Sequence, residues 1–410
     1  MAAFNQPASL PLDVVELVLA EVASDNDMAT LKNCSLASSV LLPMCRKYIF
    51  SKVELDSTVD HSGACQVRQF KRLLDHDPSI ANYIRALDYT GVCDSKPAPP
   101  VLKHLRRVTS FTFGFRSSGY NLGGTQEWKT IPSALKNSLA TFIRYNKLTT
   151  LHLFRIQSVP AALFNCFPHL RKLVLYCVTI SNISLYGKFF KAKKAPKLVS
   201  LFIKNSNVGP LIKLPAKGVQ MSEPMLDLTS LEKFECGVDE DPTVMNIVRP
   251  ILKVAESLRC LALSGSHPDI DFLGVFSSDI NHRSLETLKT VRLHPMIETQ
   301  EEDPYLNLTA ELEQIAGKNV VEDIVLCISI ETDRRCTTDA SRWNQLDRVL
   351  SQGGGFPFLQ SVEIKVIVYH WSREVADFQS RLEEIRVSCF PWLRGNKDVE
   401  FSFEVAIEDV

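Results

Sequence analysis

The chain has 410 residues, 46 basic and 47 acidic, so its formal net charge is −1 and no global field draws it to nucleic acid or to an anionic membrane. Its length exceeds that of one compact domain and suits two domains, or a small domain followed by a solenoid. No apolar run is long enough to span a bilayer, and Asp13, Glu16 and Glu21 interrupt the first apolar stretch as a secretory leader would not. The expectation is a cytoplasmic or nuclear protein.

A compact helical prefix comes first. Pro11 stands where a helix can begin, because its missing amide is an orphan donor there, and Asp13 and Glu16 favour the positive end of the helix dipole. The spacing predicts a helix from Leu12 to Ala23, with Val15, Leu19 and Val22 on one face and Val14, Leu17 and Val18 flanking it. That stripe is wide enough to face two partners. Thr30 can cap a second short helix carrying Leu31, Cys34 and Leu36. A third, from Val40 to Phe50, places Leu41, Leu42, Cys45 and Ile49 at helical spacing. So few residues cannot enclose this much apolar surface unaided, so either the rest of the chain or a partner covers the excess.

Beyond residue 80 the pattern changes to apolar-x-x-apolar-x-apolar. It recurs as Ile84/Leu87/Tyr89, Val108/Phe111/Phe113, Leu148/Leu151/Leu153, Leu170/Leu173/Leu175 and Leu198/Leu201/Ile203. Further copies are Leu231/Phe234/Cys236, Leu258/Leu261/Leu263, Leu288/Val291/Leu293, Val321/Ile324/Leu326 and Leu359/Val362/Ile364. Steps of roughly 22 to 40 residues match a leucine-rich repeat padded by insertions. Each copy predicts a short parallel strand, since residues between two apolar positions point the other way. Helices are expected at Pro132 to Tyr145, Pro242 to Glu256, Leu306 to Ala316, Ser341 to Leu350 and Arg373 to Cys389. The usual Asn after the strand is replaced by Ile156, Val178, Ser206 and Ser266, which predicts wider, less regular turns. An ordinary α/β domain with leucine-rich strands is the alternative.

The alternation also names the residues on the concave side of such a solenoid. They include Thr150, His152 and Phe154; Lys172, Val174 and Tyr176; Ser200, Phe202 and Lys204; Lys233 and Glu235; Thr290, Arg292 and His294; Glu363 and Lys365. Aromatics inside a charged rim form a binding patch, so His152, Phe154, Val174, Tyr176, Phe202, Lys204 and Arg292 are the candidates for target contact. An inserted loop such as Phe115 to Lys129, or the C-terminal segment, covers them in the alternative reading.

Several other signals carry less. Lys188, Lys191, Lys193, Lys194 and Lys197 read as a solvated helix face, Gly353-Gly354-Gly355 as a turn, and the acidic runs Asp239 to Asp241 and Glu298 to Asp303 as loops. The 11 cysteines form no CxxC pair, and several lie in apolar runs, which suits reduced thiols and no zinc site. None of the 9 histidines sits in HExxH and no GxSxG elbow exists, so no enzyme, metal or cofactor is expected.

Together these residues resemble the F-box family, and more closely the F-box-like proteins with degenerate leucine-rich repeats abundant in mushroom-forming fungi. The resemblance rests on Leu10-Pro11-Leu12-Asp13-Val14, on Thr30-Leu31-Lys32-Asn33-Cys34-Ser35-Leu36, and on Leu42-Pro43-Met44-Cys45-Arg46-Lys47-Tyr48-Ile49-Phe50 leading into Val53-Glu54-Leu55. Phe70-Lys71-Arg72-Leu73-Leu74, Asp77-Pro78-Ser79-Ile80 and Val399-Glu400-Phe401-Ser402-Phe403 extend it downstream. It implies an α/β chain with a three-helix F-box-like domain over 1–55 and an irregular leucine-rich-repeat solenoid over 56–410, strands on its concave and helices on its convex face. It further implies a substrate-recognition subunit of a cullin-RING, SCF-type ubiquitin ligase. The small adaptor of the ligase would dock on Leu10, Pro11, Leu12, Val15, Leu19, Leu36 and Leu41, and a protein substrate on the repeats. Common F-boxes carry an Arg and a Trp near the start of the third helix, where this chain has Ser39 and Leu41. A plain helical cap on a repeat array, or an interaction scaffold outside any ligase, is the alternative.

Overall fold

The structure, a computed structural model, describes residues 11–56, 60–91, 101–115, 124–182, 195–212, 225–238, 245–265, 272–297, 303–332, 340–370 and 376–409. The chain forms two compact units, Met1–Ile156 and Gln157–Val410.

The first unit opens with α1 (Leu12–Ser24), α2 (Met28–Ala37) and α3 (Leu41–Ile49). Val15, Leu19 and Val22 turn one stripe of α1 onto Leu31 and Cys45, and Cys34, Leu41, Met44 and Ile49 pack around the same centre. Asp27 caps α2, accepting from the Thr30 amide at 3.0 Å, while the Thr30 hydroxyl donates back to Asp27 at 2.6 Å. The expected cap, Thr30, is therefore the third residue inside the helix. Lys47 of α3 holds Glu16 of α1 at 2.6 Å.

β1 (Lys52–Asp56), β2 (Ala86–Gly91), β3 (Ser110–Phe115) and the start of β5 (Thr150–Pro160) then pair in parallel, with the short β4 (Gln126–Glu127) beside β5. In register, Leu87, Phe111 and Leu151 make one buried row and Tyr89, Phe113 and Leu153 the next. The helix α4 (Asp60–His76) and the turn Pro78–Asn82 join β1 to β2, and Arg46 of α3 reaches Asp77 at 2.8 Å. Beneath β3 lies α5 (Ser133–Tyr145), whose Phe142 ring centroid is 4.8 Å from that of Phe111. Burying such a ring is worth about 1.5–3 kcal/mol, which fixes the helix to this face. Buried Asn146 then closes the strand entry, donating to Leu105 and Phe142 carbonyls and accepting from the Val108 amide.

The second unit repeats strand and helix. Its strands are β6 (Lys172–Ser181), β7 (Ser200–Lys204), β8 (Lys233–Val238), β9 (Cys260–Gly265) and β10 (Thr290–His294). The short β11 (Met296–Ile297), then β12 (Asp323–Thr332), β13 (Ser361–His370) and β14 (Glu400–Asp409) complete them. They pair in parallel in chain order, with β11 beside β12, an α/β arrangement compatible with a solenoid. The helices are α6 (Gly209–Ile212), α7 (Met245–Val254), α8 (His282–Leu285), α9 (Leu308–Ile315), α10 (Ala340–Ser351), α11 (Ala376–Ser388) and α12 (Pro391–Gly395). One buried row runs Leu173, Leu201, Phe234, Leu261, Val291, Ile324 and Val362, and every member is 2% exposed or less.

Two devices shape this unit. Arg155, closing the first unit, and Cys177 and Asn205 in the second occupy the same place two residues past the last apolar template position, each with φ near +50° (54°, 53° and 49°). The left-handed residue turns the next side chain inward, so Ile156 and Val178 are fully buried and Ser206 is 5% exposed. Ser206 Oγ accepts from the Val178 amide at 2.9 Å and donates to the Lys204 carbonyl at 2.8 Å, a rung where an Asn was missing. At these repeats the turn is thus uniform, against the expectation of irregularity. The Ser266 position lies outside the described residues.

Buried polar groups link successive helical segments. Asp279 of the turn Val275–Asp279 meets Arg249 at 3.3 Å and Lys253 at 3.1 Å, both on α7. Glu311 of α9 accepts from the Phe276 and Ser277 amides of that turn at 2.9 Å each. Tyr305 donates to the Trp343 carbonyl of α10 at 2.8 Å, and Asp347 of α10 accepts from the Trp392 and Leu393 amides at the start of α12. Glu311 and Asp347 satisfy backbone amides that burial would otherwise orphan, and Asp279 is compensated by two cations.

Candidate functional site: an apolar helical patch and the outward strand face

The helical prefix leaves much of its apolar surface in solvent. Leu12 is 53% exposed, Leu17 71% and Val18 57% on α1, Leu36 85% on α2 and Val40 52% just before α3. Val14, Leu17 and Val18 recur at i, i+3 and i+4, so they form a second stripe beside the one that faces Leu31 and Cys45. Single exposed leucines need no explanation, but a full second stripe on a 13-residue helix marks surface that can bury against another molecule.

The sequence-named docking positions divide. Pro11, Leu12 and Leu36 are exposed. Leu19, at 3% exposure, belongs to the core, and Val15 and Leu41 pack against it. The bundle's own core thus takes up Leu19 and part of Val15 and Leu41, and leaves Pro11, Leu12 and Leu36 to solvent. Leu10 lies outside the described residues. Sequence reasoning put Leu17 and Val18 on the flank and Val40 at a helix start, and missed them as candidates. Ser39 is exposed and Leu41 is turned inward.

The strands present their alternate residues outward, as the pattern predicts. In the first unit Thr112 stands beside His152 and Gly114 beside Phe154. A Cβ on Gly114 would lie 2.3 Å from the Phe154 carbonyl oxygen and 2.5 Å from its ring, so Phe154 lies down over its neighbour and is half-buried. His152 is half-buried as well.

In the second unit the register forms ladders: Val174, Phe202, Glu235, Ala262 and Arg292 across five strands, with Tyr176, Lys204, Gly237, Ser264 and His294 alongside. Val174, Tyr176, Phe202 and Lys204 are half-buried and Arg292 is exposed. Lys204 Nζ stands 5.9 Å from the Tyr176 ring centroid, and its stem passes over Gly237, where a Cβ would be 3.3 Å from Lys204 Cγ. His294 Nε2 is 2.7 Å from Ser329 Oγ, and burial together with Lys204 holds the imidazole pKa below its ordinary value, favouring the neutral ring.

Burial pushes the Cys166 and Cys236 thiols up to about 12, so both are protonated at neutral pH and poor nucleophiles. A hollow of about 550 Å³ beside β1 is lined by Val53, Glu54, Leu55, Asp56, Gln66, Gln69, Phe70 and Leu73, with no His or Cys among them. Among the described residues no cluster of His, Cys, Asp and Glu has the geometry to hold a metal, and no helix is long and apolar enough to cross a membrane. Lys188, Lys191, Lys193 and Lys194, the acidic run Asp239 to Asp241 and most of the insertion after Phe115 lie outside the described residues. Gly353 to Gly355 form the turn expected of them, with Gly354 at φ 77°.

The class defined by this geometry is an α/β chain with a parallel-strand sheet and N-terminal helices, compatible with a solenoid. No family model matches the chain, and no curated protein is significantly similar to it.

Proposed function

We propose that this chain is the substrate-recognition subunit of a cullin-RING, SCF-type ubiquitin ligase, joined to the small adaptor through its N-terminal helices and to a protein target through the outward strand face. One observation carries the reading. Leu12, Leu17, Val18, Leu36 and Val40 stay exposed around a bundle whose own core is already closed by Leu19, Leu31 and Cys45. Such a receptor needs no catalytic residue, cofactor or metal. It raises the local concentration of a bound target to about the millimolar range beside the ubiquitin-charged enzyme. A leucine-rich-repeat interaction scaffold attached to no ligase is the second reading, favoured by the burial of Leu19 and the packing of Leu41 against the same core.

Size-exclusion chromatography of the full chain with purified adaptor separates them. Co-elution that is lost in the Leu17→Asp/Leu36→Asp variant, with circular dichroism unchanged, supports the receptor. No co-elution of the unaltered chain leaves the scaffold.

A further inference from the structure

The outward residues of the second unit are sorted by charge along the strand order. On β6 to β10 the described outward positions carry Lys172, Lys204, Lys233 and Arg292, opposed by Glu235. On β12 to β14 they carry Asp323, Glu331, Glu363, Glu400, Glu404 and Glu408, opposed by Lys365. The net charge of the whole chain is −1, so composition hides this separation. Lys172, Lys233, Arg292, Glu363, Glu400, Glu404 and Glu408 are all exposed; Lys233 and Glu235 pair at 2.6 Å and offset each other, so the excess charge of the basic half is that of Lys172, Lys204 and Arg292.

Burial raises the Cys260 thiol pKa, Lys233 and Arg292 pull it back, and Glu235 adds to it. Burial also raises Cys327, where Lys365 pulls back and Glu363 and Glu408 add, and Tyr369, where Glu408 and Glu331 add. The centres of the halves, near β8 and β13, are four strand steps apart, about 19 Å at ~4.8 Å per step. That is more than twice the ~8 Å screening length of physiological salt, so each half attracts its own ligand charge. A partner of one sign gains at one half and is repelled at the other.

We propose that this face recruits its target through an extended segment with two charge blocks, the acidic block lying across β6 to β10 and the basic block across β12 to β14. The inference rests on the receptor reading and names the class of target that such a receptor takes.

The probe is a labelled peptide with about six Asp, a flexible spacer of about six residues and about six Lys, long enough to bridge ~19 Å. Its control is the same composition with the charges alternating. Fluorescence anisotropy with the full chain should show the block peptide binding about tenfold tighter than its isomer, the sum of several exposed ion pairs, with the preference lost in high salt. The preference should vanish in Lys233→Glu/Arg292→Glu and in Glu363→Lys/Glu404→Lys, all exposed positions. Circular dichroism of both variants should match that of the unaltered chain, which separates loss of charge from loss of fold.

Equal binding of the two isomers overturns the proposal. So does equally tight binding of an all-Asp peptide or of single-stranded RNA, which would make the basic half alone the site. Adaptor co-elution is measured on the same samples. Its loss with the block preference intact overturns the receptor reading alone, and the converse overturns this inference alone.

Discussion

The helical prefix and the strands of the second unit use apolar residues in opposite ways. The strands sort most of them inward: rows such as Leu173 to Val362 vanish from solvent, while outward positions are mostly polar, Val174 and Phe202 apart. The prefix closes a small core on Leu19, Leu31 and Cys45, then leaves Leu17 and Leu36 more exposed than any buried-face logic requires. An element that spends its hydrophobicity inside is built for stability. One that keeps leucines outside after its core is closed is built to be covered.

Four measurements break or sharpen this contrast. Phe234→Ala removes a ring that is 0% exposed from the long row and should cost about 3–5 kcal/mol in a denaturant titration of the chain. Leu31→Ala, equally buried but in the small bundle, should cost about 3 kcal/mol. Its effect should stay local, seen as faster hydrogen exchange in residues 12–49 with the strands of the second unit unchanged; uniform loss of protection would erase the contrast.

Gly114→Ala should cost about 2 kcal/mol by thermal melting, since the new methyl meets the backbone of Phe154, which cannot swing aside as a flexible side chain would. Acid comes last. The Asp27 and Asp77 pKa values are held below the ordinary carboxylate value, first by hydrogen bonds from Thr30 and from Ser79. A depressed folded pKa contributes stability that is full above the unfolded value of about 3.9 and fades as pH falls through the folded one. The prefix and the Asp77 turn should therefore loosen only below about pH 4, read as a local rise in proteolysis, with no change between pH 5 and 8.

Much of the fold was legible because period carries it. Every template copy, from Ile84/Leu87/Tyr89 to Leu359/Val362/Ile364, enters a strand, and the helices expected after Pro132, Pro242, Leu306, Ser341 and Arg373 form within a few residues of their limits. Local chemistry was harder. Asp27 and Thr30 are both good caps, and only the path of the chain decides between them. A left-handed bend on Arg155 and Cys177 has no residue signature, whereas Asn205 does. Period finds the apolar stripes of α1 but not which of them the bundle consumes, so it does not distinguish buried Leu19 from exposed Leu17. The charge sorting of the outward face requires the register, since residues such as Arg292 and Glu363 are distant in sequence and two strands apart in space.

The relay of Asp279, Glu311, Tyr305 and Asp347 carries a consequence for how the second unit fails. In a repeat array each module contributes its own stability plus a coupling to its neighbours, and weak coupling lets modules melt singly. Here α7 is tied to the turn Val275–Asp279, that turn to α9, and α10 both to Tyr305 and to α12. Freeing any one segment strands a carboxylate or an amide that its neighbour was built to satisfy. The span from Met245 to Gly395 should thus come apart as one block, and the smallest excursion a protease can exploit there is larger than a single repeat.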